Sequence, residues 1–159
     1  MAELTPLDEK IGEVLGLAKA AQDATSKVAK MEGADDFRSK LEEMREQAAE
    51  TERRTEELVE TLEGRKTAIQ EKARETKGEA EEMMQTYLGG EEEALDGFEF
   101  LTMAEAGELG HWEIVQRMSQ TLGESSVSEL ADWAVGVQRR HFETVRESSL
   151  VLAESEARG

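Results

Sequence analysis

The feature that most constrains this chain is the spacing of its apolar residues. Phe37, Leu41, Met44, Ala48, Thr51, Thr55, Leu58 and Leu62 follow one another at intervals of 4-3-4-3-4-3-4. That period draws one stripe along an α-helix, and no segment alternates apolar with polar residues as a half-buried strand would. The same period recurs in Ile11, Val14, Ala18, Ala21, Thr25 and Val28, and again in Ile69, Ala73, Thr76, Ala80, Met83 and Tyr87. Turn signals are few: Thr5-Pro6, Gly33, Gly64, Gly89-Gly90 and Gly123. They divide the chain into helices expected at about residues 6–32, 35–63, 66–88, 92–122 and 126–154.

Local chemistry supports those divisions. Thr5 suits an N-cap, with Pro6 at the first helical position, where its missing N–H costs nothing. Asp35 or Asp36 suits the cap of the second helix, and Ser126-Val127-Ser128-Glu129 reads as a capping box for the last. Gly123 reads as a C-terminal stop. Gly64 is read as a break, because glycine inside a helix costs ~1 kcal/mol. The alternative is one helix of about 55 residues, roughly 80 Å long. Gly12-x-x-x-Gly16 with Ala20 is a close-packing face, and Met83-Met84 reads as core filler.

Composition alone would leave folding open. About one residue in five is Leu, Ile, Val or Phe, and 37 acidic against 19 basic residues give a net charge of −18. Those values sit at the edge of disorder. The regular spacing places the chain on the folded side, as a single helical domain over residues 1–159. The charge argues against nucleic acid and anionic membrane as partners, since phosphates would be repelled. The absence of cysteine excludes a disulfide scaffold, a thiolate zinc site and a Cys nucleophile. No apolar run of ~18 residues exists, and Met1 to Pro6 lacks the basic and apolar regions of a signal peptide, so a cytoplasmic protein is expected.

The chemistry of interest lies after Gly89-Gly90, where Phe98, Phe100, Trp112, Trp133 and Phe142 also concentrate. The stripe there reads Ala94, Phe98, Leu101, Glu105, Glu108, Trp112, Val115, Ser119, Leu122, which puts two carboxyls on an inward face. Glu108-Leu109-Gly110-His111 is a Glu-x-x-His pair. The last helix carries Val127, Leu130, Ala134, Val137, His141, Val145, Ser148 and Leu152, with Gln138-Arg139-Arg140-His141 at the same spacing. A buried carboxylate without a partner costs several kcal/mol, so such groups are paired, metal-bound, protonated or not buried. The candidate metal ligands are Glu105, Glu108, His111 and His141, with iron or manganese as the metal. The plainer alternative is a solvated or salt-bridged helix edge, with Arg139 or Arg140 opposite. No Ser/His/Asp grouping, phosphate-binding glycine loop or basic patch stands out, and no catalytic residue is assigned.

This arrangement resembles the ferritin-like superfamily, in which carboxylates and Glu-x-x-His motifs from four helices hold two metal ions in a bundle core. It is most similar to the small bacterial stress proteins typified by YciE and YciF. Gln47-Ala48-Ala49-Glu50-Thr51 with Leu58 resembles that family's second-helix motif, and Gly78-Glu79-Ala80-Glu81-Glu82 its intervening segment. Glu105-Ala106-Gly107-Glu108 with Leu122-Gly123 resembles its third-helix motif. The resemblance implies an antiparallel four-helix bundle with an additional intervening helix, a dimer and a stress-associated role. Departures fall on the ligand positions: the family's second-helix His is Gln47, its fourth-helix Glu is best matched by Gln138, and its first-helix Glu falls near Ala21 or Gln22. The expected function is therefore a stress-associated, non-enzymatic ferritin-like bundle with a degenerate di-metal site. The alternatives are an active iron or manganese protein handling redox or peroxide chemistry, and an acidic helical scaffold for a protein partner.

Overall fold

A computed structural model describes residues 3–159 as five α-helices with no β-strand among them. They are α1 (Pro6–Ala29), α2 (Arg38–Glu60), α3 (Lys66–Leu88), α4 (Ala94–Leu122) and α5 (Ser125–Arg158), with a 3-10 turn at Asp35–Phe37 before α2. Among the described residues no helix is long and apolar enough to cross a membrane.

The ends of the helices follow from side-chain chemistry, with two departures from expectation. Thr5 caps α1: its hydroxyl accepts from the Asp8 N–H, and the Asp8 carboxylate accepts from the Thr5 N–H. Gly123 ends α4 in the left-handed region, at φ 68°. Gly64, at φ 81°, lies between α2 and α3, in a conformation that side chains with a Cβ rarely adopt. Asp35 and Asp36 do not cap α2; Asp35 pairs instead with Arg38 at 2.8 Å. The capping box expected at Ser126 does not form either. α5 begins at Ser125 without a side-chain cap, and Ser128 donates to Ser119 of α4 at 2.9 Å.

Pairwise contacts give each helix a direction. α1 and α2 run antiparallel, tied by Gln22–Glu52 (2.7 Å) and Lys19–Glu56 (3.4 Å). α4 and α5 form the most extensive pair and are antiparallel across Gly123–Glu124. α5 returns along α2, where Arg54 lies over the Trp133 ring at 4.1 Å. α4 packs on α1 in the opposite sense, with Gly97 close to Val28 and Met31. The four helices α1, α2, α5 and α4 thus touch in a ring, and α2 and α4 run in the same direction. α3 makes that possible by carrying the chain back along α1, parallel to it.

The α1–α3 contact is close because of two glycines. A Cβ on Gly12 would lie 2.7 Å from Lys72 Cβ, and one on Gly16 would lie 2.4 Å from the Ala73 carbonyl oxygen. The Gly12/Gly16 face is therefore used inside the chain, against α3.

The apolar core falls into two clusters. One gathers Val28, Phe37, Leu41, Met44, Leu88, Phe98, Leu101 and Val145; the other gathers Leu7, Ile11, Val14, Val59, Ile69, Trp112, Val115, Val127 and Ala131. Between them in sequence lie buried polar residues on three helices: Thr51 and Thr55 on α2, Glu105 and Glu108 on α4, and Gln138 and His141 on α5. The threonine hydroxyls donate to carbonyls one turn back, at 2.9 and 2.7 Å.

Candidate functional site

The middle of the ring is where the apolar stripes give way to polar groups. Glu105 and Glu108 lie one turn apart on α4, so both project to the same side. Gln138 and His141 have the same spacing on α5. The short α4–α5 connection sets the register that brings the two pairs together. Glu105 is 2% exposed, Glu108 5%, Gln138 1% and His141 4%.

Two amides organise this cluster. The Gln138 Nε2 donates to Glu105 Oε2 at 2.8 Å. Across the ring, His141 Nε2 lies 2.5 Å from Gln47 Oε1. An amide oxygen only accepts, so Nε2 carries the imidazole proton and Nδ1 is left bare. Nδ1 faces Glu105 Oε2 at 3.9 Å, beyond a direct hydrogen bond.

Burial decides the charge states. Loss of water raises the Glu105 carboxyl to about 7, against a smaller opposing effect of the Gln138 amide. Glu108 is raised well above its ordinary value, first by burial and then by the neighbouring Glu105. Burial, followed by the Arg140 charge, lowers His141 to about 4. The cluster thus favours two carboxylic acids and a neutral imidazole, the forms that cost least to bury.

His111 takes a different course. It is half-buried, its Nδ1 is 2.8 Å from the Gly107 carbonyl oxygen, and its Nε2 faces Glu13 on α1 at 3.4 Å. Nor does an arginine sit opposite the buried carboxyls; Arg139 reaches outward to Glu113 at 3.5 Å. Of the four candidate ligands, Glu105, Glu108 and His141 share the polar middle, while His111 is directed elsewhere. Among the described residues, no three His, Asp or Glu side chains converge as a metal ion would require.

The donor set therefore does not fit the di-metal centre that the ferritin-like resemblance implies. Such a centre needs several anionic oxygens to neutralise two cations. Here one carboxyl is engaged by an amide N–H, and the imidazole proton is engaged by an amide oxygen.

The sequence did not reveal a cleft of about 340 Å³ between α1, α3 and α4, reached by Glu105, Glu108 and His111. Its walls are small or flexible apolar residues, including Ala21 and Ala24 of α1 and Met83 and Met84 of α3. Met83 is 52% exposed and so lines this opening rather than filling the core. The signals were the run of alanines on α1 and the paired methionines on α3, each of which also suits ordinary packing. No protein-family model, curated protein or solved structure matches this chain.

Proposed function

We propose that this chain is a ferritin-like four-helix bundle whose di-metal centre has been replaced by a metal-free, amide-held polar cluster. It serves as a non-catalytic, self-associating bundle with a stress-associated role. The observation that carries the reading is the Gln138–Glu105 hydrogen bond, together with its counterpart between Gln47 and His141. Both glutamines stand where the resemblance would have ligands. The directions of the helices add support: α2 and α4 run the same way, joined by one long crossover, which is how ferritin-like bundles connect their halves.

Elemental analysis of protein prepared without chelators tests this. Iron, manganese and zinc are expected far below one per chain, with no difference between wild type and His141→Ala. Iron or manganese at one or two per chain, lost in His141→Ala, would replace this reading with that of an active metalloprotein.

A further inference from the structure

We propose that the cleft between α1, α3 and α4 binds a small amphipathic amine, with its alkyl part against the alanine and methionine walls and its ammonium group on Glu108. The cleft's 340 Å³ lies within the range of small-molecule sites. Leu17, Ala21 and Ala24 on α1, Met83 and Met84 on α3, and Met103 on α4 give it an apolar lining. The alanines make the room, and methionine side chains adapt to the shape of an occupant. Met83 and Met103 are exposed, so the cleft opens to solvent.

Glu108 gives the cleft its chemistry. It is 95% removed from solvent, it lines the cleft, and no described residue hydrogen-bonds to its carboxyl. Glu105 also reaches the cleft, but its Oε2 already accepts from Gln138. Glu108 is therefore the open acceptor. Its carboxyl has lost most of its water and gained no donor in return. An ammonium group supplies the missing N–H donors and a positive charge that favours the ionised carboxylate, which makes the hydrogen bond short and strong. A carboxylate ligand would find no lysine or arginine in the cleft to pair with, and a neutral alcohol would supply a donor without charge. The net charge of −18 raises the concentration of cations around the protein.

Calorimetric titration of the full chain with hexylammonium, 1-hexanol and hexanoate, at about 0.15 M salt to screen surface charge, tests the proposal. Circular dichroism checks the fold of each variant. Hexylammonium is expected to saturate at one per chain and to bind at least about tenfold more tightly than hexanol, with no binding of hexanoate. Glu108→Gln keeps the shape of the cleft; it should weaken hexylammonium at least about tenfold and leave hexanol unchanged. Ala21→Leu, which fills the cleft, should abolish both. Equal hexylammonium affinity in wild type and Glu108→Gln would assign its binding to the acidic surface and overturn the proposal. Hexanol binding as tightly as hexylammonium, or no saturable binding of either, would overturn it as well.

Discussion

Replacing Gly16 by leucine should unseat α3 from α1 and remove about 3 kcal/mol of stability, the upper end of ordinary overpacking. A Cβ at this position would lie 2.4 Å from the Ala73 carbonyl oxygen, 2.9 Å from Thr76 Cβ and 3.0 Å from the Lys77 nitrogen. Two of these three atoms are backbone, so no side-chain rotation relieves the clash and the helices must separate. Gly12 is closed in the same way, because its added Cβ would lie 2.7 Å from Lys72 Cβ, which the backbone holds in place, and 3.0 Å from the Ile69 carbonyl oxygen. Urea unfolding gives the loss of stability, and amide exchange locates it: protection over residues 66–88 should fall further than over α4 and α5. Gly78→Ala is the control. Nothing lies within 4 Å of its added Cβ, and better helix propensity should stabilise the protein by up to ~1 kcal/mol. A Gly16→Leu protein as stable as wild type, with α3 equally protected, would mean that the two helices do not approach through this face.

Removing both buried carboxyls in the double variant Glu105→Gln/Glu108→Gln should reverse the pH dependence of stability. Burial raises both acids, Glu105 to about 7 and Glu108 well above its ordinary value. As pH rises above about 4.5, the unfolded chain releases protons that the folded chain retains, so stability falls. For Glu105 alone the loss by pH 8 is about 3 kcal/mol. His141 acts in the opposite sense. Lowered to about 4, it stays neutral when folded, and its contribution is lost as pH falls from 6.5 to about 4. Two acids outweigh one imidazole, so wild-type stability should decline from pH 4.5 to 8. The double variant leaves His141 alone, and its stability should rise from pH 4 to 6.5. At pH 8 it should exceed wild type by at least about 3 kcal/mol. Urea unfolding at pH 4.5, 6 and 8 measures this; parallel curves for the two proteins would show that the carboxyls are not buried as described.

Much of the architecture could be read from the stripes and the glycines. The 4-3 spacing from Phe37 to Leu62 marks α2, and Gly64 and Gly123 mark breaks that helical side chains do not accommodate. Glu105, Glu108 and His141 stood out because they occupy core positions, and all three are buried. What stayed hidden depends on pairing between helices. The Gly12/Gly16 face has the same pattern whether it meets α3 or a second chain. His111 follows Glu105 by six residues, and two steps of three accumulate to a rotation of roughly 120° around the helix. That rotation aims it toward Glu13 on α1. Asp35 had two local options, capping α2 or pairing with Arg38, and both are available to the same sequence. The cleft is assembled from three helices, none of which carries an unusual pattern by itself.

The proposal that an amide-held carboxyl–imidazole cluster stands in place of a metal centre is tested most directly by the ring nitrogens of His141. Their ¹⁵N signals distinguish a protonated from a bare nitrogen and respond to coordination. Between pH 8 and about 5 the ring should remain neutral, with Nε2 protonated toward Gln47 and Nδ1 bare. One equivalent of zinc, which nitrogen and oxygen ligands generally bind more tightly than iron or manganese, should leave both signals in place. A ring that takes up a proton near 6.5, or whose signals move at one equivalent of zinc, would contradict the metal-free cluster.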